Sequence, residues 1–277
     1  MALLTCVIPA YNEERVAETV NGLQSVLKGV VGFEIIVVDD GSAKPVELKG
    51  VTVIRHHVNM GYGAALKTGM LRAKGDRILI IDADGTYPVE DVPKLLDDDY
   101  DMVVGARTKV DAKIELYRRP AKWFLGRLAN YLARTSIPDL NSGMRVFRRE
   151  VAMKYLHLYP RGFSFTTTIT LAMLCDDYSV KYVPVDYNVR RGKSKIRPLK
   201  DGLNFIAIIL RTILYFNPLR IFLPISMAII AAGLLVFAYT SIVLGRVMDI
   251  TVVTLILSGV QVALFGMLAE LIVKRAQ

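Results

Sequence analysis

Two stretches near the C-terminal end, Ile221–Leu244 and Ile250–Val273, limit what this chain can fold into more than any other feature. The first carries no charged residue, and the second carries only Glu270, near its end. A helix needs roughly 20 apolar residues to cross the hydrocarbon core of a bilayer, and each stretch is long enough. The connection Gly245–Asp249 is short, so the two are expected to form an antiparallel hairpin. Arg211, Arg220, Lys274 and Arg275 flank the outer ends, whereas the tight loop holds only one basic residue, Arg246. The positive-inside bias then places both ends, and everything before them, in the cytoplasm. Just upstream, Gly202–Phe216 is mostly apolar with Asn204 and Arg211 interspersed, the pattern of a helix lying at the membrane interface.

Composition agrees with a membrane protein. Hydrophobic residues make up 53% of the 277 positions and the formal net charge is +9. A basic, apolar-rich chain points to nucleic acid or to an anionic membrane surface. The hairpin selects the membrane, and no nucleic-acid partner is expected. Cys6 and Cys175 are far apart and belong to no paired motif, so both are expected as buried reduced thiols. The first residues lack a basic region followed by an apolar signal segment and lead directly into a strand, which also fits a cytosolic catalytic part. The expected organisation is a soluble domain over residues 1–200, an interface helix over 201–219 and the hairpin over 220–277, with a homo-oligomer left open.

The soluble part alternates between two periodicities. Leu3–Pro9, Glu34–Val38, Val51–Ile54, Ile78–Ile81, Asp101–Gly105 and Val180–Val185 are short apolar runs of the kind that form strands buried on both faces. Between the first two, Val16, Val20, Leu23 and Leu27 recur at helical spacing within Glu13–Leu27. A second helix is expected from about Ala64 to Ala73, after the turn Asn59-Met60-Gly61-Tyr62-Gly63. This is an α/β pattern, a parallel sheet with helices on both faces.

The polar residues gather where the strands stop. Ile78–Ile81 is followed at once by Asp82-Ala83-Asp84-Gly85. In an extended segment, residues two apart point the same way. The two carboxylates can therefore converge beyond the carboxyl end of the strand, where open α/β sheets bind their ligands. Hard oxygen donors suit Mg²⁺ or Mn²⁺, often held by one or two carboxylates together with substrate phosphates. Glu13, Asp39 and Asp40, at other strand ends, can accept hydrogen bonds from a base or a ribose.

Five motifs occur together and in order: Pro9-Ala10-Tyr11-Asn12-Glu13, Val38-Asp39-Asp40-Gly41-Ser42, Asn59-x-Gly61-x-Gly63, Asp82-Ala83-Asp84 and Arg190-x-Gly192-x-Ser194-Lys195. Over about Leu3 to Lys195, and in its hairpin, the chain resembles the inverting GT-A glycosyltransferases of family 2, in the branch of the polyprenyl-phosphate (dolichol-phosphate) hexose synthases. The resemblance implies a Rossmann-like GT-A domain that binds a nucleoside diphosphate-sugar. Pro9, Tyr11, Glu13, Asp39 and Asp40 would border its base and ribose. Asp82, Ala83 and Asp84 would meet its diphosphate, with Asp82 and Asp84 holding the Mn²⁺ or Mg²⁺. In mannose-transferring relatives a glutamine commonly ligates the metal two residues after the second aspartate; Thr86 stands there here and is the third candidate ligand. GDP-mannose is the favoured donor; the departure counts against mannose and admits UDP-glucose or UDP-N-acetylglucosamine as alternatives.

The implied acceptor is a polyprenyl or dolichyl phosphate. A phosphate monoester, with a second pKa of about 6, is already an anion at neutral pH and needs no general base. Such chemistry calls for cations that neutralise and position it. By resemblance to the family's arginine and its Ser-Gly turn, Arg119, Ser142 and Arg145 are the candidates; Arg118 cannot be separated from Arg119 by sequence. Arg190 and Lys195 lie in a Gly- and Ser-containing loop that could fold over the diphosphate as a lid, or serve as a juxtamembrane basic patch. A processive polysaccharide synthase would normally carry a TED-type acceptor motif and a QxxRW motif, and neither is present. The rival from another class is a membrane scaffold that binds nucleotide-sugars without transferring them.

Overall fold

The computed structural model describes residues 3–107, 126–127, 130–131, 135–162, 164–188, 198–243, 245 and 249–276. Its contacts divide the chain into two units, Met1–Ile209 and Leu210–Gln277.

The first unit is built on seven strands: β1 (Leu4–Ala10), β2 (Phe33–Asp39), β3 (Thr52–Arg55), β4 (Arg77–Ile80), β5 (Met102–Ala106), β6 (Arg145–Arg148) and β7 (Val180–Pro184). They lie side by side in the order β3-β2-β1-β4-β6-β5-β7. The apolar runs read from sequence are all strands, each within a residue or two of its expected bounds. One expectation needs correction. The sheet is mixed, because β6 runs antiparallel to both β4 and β5. That reversal matters for the site. It pairs Arg145, the first residue of β6, with Ile80 at the end of β4. The turn preceding β6 therefore arrives at the edge where β1, β2, β4 and β5 terminate.

Helix α1 (Val16–Leu27) buries Val16, Val20, Leu23 and Leu27 on one face, the residues whose spacing predicted it. It begins three residues later than expected, since Asn12 has a left-handed backbone (φ 51°) that opens a turn. Helix α2 (Tyr62–Arg72) starts after Gly61 and lies so close to β1 that a Cβ on Gly69 would come within 2.3 Å of Val7 Cγ1. A 3-10 helix (Val89–Leu95), α3 (Arg149–Lys154) and α4 (Phe165–Cys175) complete the described domain. Cys6 is buried, as expected, and burial pushes its thiol far up; Cys175 is only partly buried, at the exposed end of α4.

Helix α5 (Pro198–Phe216) contains the expected interface segment. In the second unit, α6 (Leu219–Val243) and α7 (Asp249–Ala276) cover the two apolar stretches, the first as far as Val243. Their apolar side chains face outward: Leu235, Ile242 and Ile250 are 71%, 82% and 84% exposed. A soluble core helix would hide such residues, so this surface fits lipid. Glycines let the two helices approach. A Cβ on Gly259 would lie 2.4 Å from Ile230 Cγ1, and one on Gly266 would lie 2.5 Å from Phe222 Cβ. Ser226 Oγ donates to the Gly259 carbonyl across the same seam at 2.7 Å.

Candidate active site

At the carboxyl edge of the sheet, β4 delivers Asp82 and Asp84, both half-buried. Asp82 Oδ1 accepts from the Tyr62 hydroxyl at 2.9 Å. Its other oxygen, Oδ2, lies against Gly143, where a Cβ would stand only 2.1 Å away. Asp84 Oδ1 accepts from both the backbone N–H (3.1 Å) and the hydroxyl (2.6 Å) of Thr86. Thr86 is 2% exposed and commits its proton to Asp84, so here it orients that carboxylate. Gly85 turns the chain at φ 69°, with the Arg15 guanidinium packed where its Cβ would be. Burial, with Asp82 beside it, raises the Tyr62 phenol well above its ordinary value, which keeps it a hydrogen-bond donor.

The donor set can be tested against the implied cation. Among the described residues, no group of three or more His, Cys, Asp and Glu side chains is arranged to hold a metal. A closed all-protein cage, as for structural zinc, is therefore not built here. Two half-buried carboxylates held by hydrogen bonds match Mg²⁺ or Mn²⁺, which commonly take one or two protein oxygens and fill the rest with water and phosphate. The residues fit that cation.

Of the candidates for the base and ribose, Pro9 is partly buried and Tyr11 is 39% exposed. Glu13 is partly buried just before α1. Asn12 staples two strand ends: its N–H donates to Ser42 Oγ and its Oδ1 accepts from the Ala43 N–H. Asp39 is fully buried and accepts from the N–H groups of Ser42 (2.9 Å) and Val46 (3.2 Å). Burial raises its carboxyl, but those bonds and Arg55 outweigh it and leave the group below the usual range. Asp40 accepts from Met60 N–H and Gly61 N–H, and His56 Nδ1 lies 2.7 Å from its Oδ1. Both acids thus hold loops together as the chain stands here, a shape-giving role that their position in the sequence did not reveal. Ala83 is buried and its carbonyl faces Thr19 Oγ1.

The candidates for the acceptor phosphate divide into two groups. Arg118 and Arg119 lie outside the described residues, as do Arg190 and Lys195, the candidates for the lid over the diphosphate. Ser142 and Arg145 are brought together, but both are 0% exposed. Ser142 Oγ donates to the Gly105 carbonyl at 2.5 Å. Arg145 donates to the carbonyls of Ser142 and Thr166 and to Thr170 Oγ1. A direct grip on a phosphate is not what this arrangement offers. Physically, a guanidinium sealed inside needs every N–H satisfied, and these carbonyls supply the acceptors while fixing the turn before β6.

Sequence reasoning missed three side chains at this edge. Tyr62 sits between the two glycines of a motif read only as a turn. Tyr87 accepts from the Gly143 N–H at 2.8 Å and stacks edge-on with Tyr187. Arg107, the residue directly after β5, makes a two-pronged pair with Asp139, at 2.6 and 2.8 Å, beneath Tyr187. A basic residue directly after a strand end was the available signal for Arg107. Burial pushes Asp139 up, but the Arg107 guanidinium outweighs it and holds the carboxyl below its usual range. A depressed folded-state pKa contributes stability above the unfolded value, lost as pH falls through the folded one. Asp139→Asn is therefore expected to cost about 2 kcal/mol at pH 7. It should also flatten the loss of stability below about pH 4. Thermal melts in detergent at pH 7 and pH 4 check this, and a variant equally stable at pH 7 would remove the pair from the account.

With this geometry in place, comparison with known proteins assigns the class. Residues 5–156 match glycosyl transferase family 2, and residues 217–274 match the GtrB C-terminal hairpin. The chain belongs to glycosyl transferase family 2: it is a glycosyltransferase with a GT-A domain and a C-terminal hairpin. It is 30% identical over 207 residues to the dolichyl-phosphate hexose transferase of Haloferax volcanii, covering 72% of this chain and 89% of that one. It is 33% identical over 214 residues to the dolichol-phosphate mannosyltransferase of Pyrococcus furiosus, covering 70% of this chain and 59% of the longer relative. The fold is similar to that of glucosyl-3-phosphoglycerate synthase from Mycobacterium tuberculosis, solved with Mn²⁺, uridine diphosphate and glucosyl-3-phosphoglycerate. The TM-score is 0.58 at 22% identity, over 76% of this chain and 80% of that one.

Proposed function

We propose that this enzyme transfers a hexose, with inversion, from a nucleoside diphosphate-sugar to a polyprenyl or dolichyl phosphate at the cytoplasmic face of a membrane, producing a lipid-linked sugar. The observation that carries the reading is an acid pair, Asp82 and Asp84, at the carboxyl edge of a GT-A sheet in a chain that also holds a membrane-length hairpin. GDP-mannose is the favoured donor, supported by the mannosyltransferase relative, and UDP-glucose is the second reading, supported by a dolichyl-phosphate beta-glucosyltransferase of Trichomonas vaginalis that is 28% identical over 245 residues. Residues 201–219 would lie along the membrane interface.

In the proposed reaction an oxygen of the acceptor phosphate attacks the anomeric carbon. The bond from that carbon to the nucleoside diphosphate breaks, and no proton need be removed first. A divalent cation, when bound, neutralises charge that develops on the leaving diphosphate. Asp82 and Asp84 would hold it, with Thr86 orienting Asp84. Tyr11 and Glu13 would border the nucleoside, while Asp39 and Asp40 shape the loops around it. Ser142 and Arg145 would act by fixing the turn against Asp82. Arg118, Arg119, Arg190 and Lys195 remain the proposed cations for the acceptor and for closure over the diphosphate.

The test is a panel of GDP-mannose, UDP-glucose and UDP-N-acetylglucosamine with a short polyprenyl phosphate and Mn²⁺, in detergent, read by mass of the lipid product. The expected result is one added hexose from GDP-mannose and none when the lipid lacks its phosphate. Product from UDP-glucose alone would move the sugar assignment. Equal product on the unphosphorylated alcohol would overturn the acceptor chemistry.

A further inference from the structure

We infer that Tyr62 is a positioning residue for the metal carboxylate Asp82, and that the Asn59–Gly63 segment ties the nucleoside end of the donor site to its metal end. The inference rests on the donor-site reading above and adds to it a residue that this reading does not use.

Four contacts fix the segment. Its Met60 and Gly61 N–H groups donate to the two oxygens of Asp40, at 2.9 and 2.8 Å. His56 braces the same carboxylate, with Nδ1 at 2.7 Å from Asp40 Oδ1 and Nε2 at 2.9 Å from Thr68 Oγ1 on α2. On its other side the segment packs against Pro160–Gly162. A Cβ on Gly61 would stand 2.6 Å from the Arg161 carbonyl oxygen, and one on Gly63 would stand 2.1 Å from that of Pro160. Gly61 also has φ 100°, a backbone that side chains disfavour. The platform under Tyr62 can therefore move little in either direction.

From that platform the Tyr62 hydroxyl reaches Asp82 Oδ1 at 2.9 Å. A short carboxylate has two oxygens and one rotatable bond that sets which of them faces the site. A donor on Oδ1, together with the close approach of Gly143 to Oδ2, selects one orientation. Groups that hydrogen-bond a metal ligand from behind commonly hold it in its binding geometry, and losing one typically weakens metal affinity by about 10- to 100-fold. If Tyr62 served only to fill space, its ring would carry the effect and its hydroxyl none.

The experiment uses the full chain in detergent and titrates Mn²⁺ with saturating GDP, and in parallel UDP, following free Mn²⁺ by its electron paramagnetic resonance signal. Tyr62→Phe keeps the ring and removes the hydroxyl. It is expected to weaken Mn²⁺ binding by about tenfold. Its melting temperature should stay within a few degrees of the parent, and its turnover should recover when Mn²⁺ is raised. Binding within twofold of the parent overturns the inference. So does tighter binding, which would make the hydroxyl a competitor for the oxygen, and so does loss of the folded state, which would make it structural. Asp84→Ala separates this from the underlying reading. If Asp84→Ala binds Mn²⁺ normally, the metal site itself is misplaced; if only Tyr62→Phe binds normally, the coupling alone is wrong.

Discussion

Asp84→Ala is expected to lower sugar transfer at least a thousandfold while leaving the domain folded. A carboxylate that holds the cation opposite a leaving diphosphate contributes several kcal/mol to the barrier, and about 4 kcal/mol corresponds to a factor of roughly a thousand. The structural cost is smaller. Asp84 is half-buried, and its carboxylate accepts two bonds from Thr86, an N–H and a hydroxyl. Leaving those donors short of a partner costs about 1–3 kcal/mol at most, and nearby water can replace part of it. Turnover by lipid mass, at saturating Mn²⁺, and the melting temperature should thus separate cleanly. Transfer within tenfold of the parent would remove Asp84 from the metal site.

Asp84 stands out in the sequence because its signal is set by its neighbours. An apolar run ending in an acid pair is a local signal, because the strand and its carboxyl end are set by adjacent residues. The same holds for α1, whose buried face is written in four residues at helical spacing. Other features depend on partners far along the chain. The direction of β6 is not encoded in Arg145-Val-Phe-Arg148, a run of four; it follows from pairing with β4 and β5 on either side. Helix α4 was invisible to periodicity because every residue of Phe165–Met173 is buried, threonines included. Those hydroxyls are satisfied within the helix or nearby: Thr168 and Thr170 bond carbonyls four residues back, and Thr167 bonds Asn141. Polar residues that look solvent-facing in sequence are thereby made compatible with the interior.

The site divides along the same line. Asp82 and Asp84 were legible as a carboxylate pair beyond a strand end, but the orientation of Asp39 and Asp40 toward backbone N–H groups was not. Nor was the burial of Arg145. Its acceptors come from the neighbouring Ser142 and from Thr166 and Thr170, the last two brought beside it only by the tertiary fold. A motif therefore marks positions near the strand ends without distinguishing side chains that would face a ligand from those that support the loops.

Gly143→Ala tests that supporting role at its tightest point and is expected to reduce transfer about a hundredfold, since a misplacement near 1 Å in reacting geometry can cost about that much. The added methyl would lie 2.1 Å from Asp82 Oδ2, far inside contact distance. The turn has little room to retreat. The Gly143 N–H is held by Tyr87, Ser142 Oγ is bonded to Gly105, and Arg145 grips the Ser142 carbonyl. Asp82 is held in turn by Tyr62 on Oδ1, so its carboxylate must rotate away from its present orientation. Overpacking of this kind costs about 1–3 kcal/mol of stability, which a folded domain can absorb. Gly32→Ala is the control, because the nearest atom to its Cβ is 3.8 Å away and the turnover should not change. Mn²⁺ binding and transfer should fall together in Gly143→Ala. If transfer stays within threefold and Mn²⁺ affinity is unchanged, the turn before β6 does not set the geometry of Asp82, and Ser142 and Arg145 lose their place in the site.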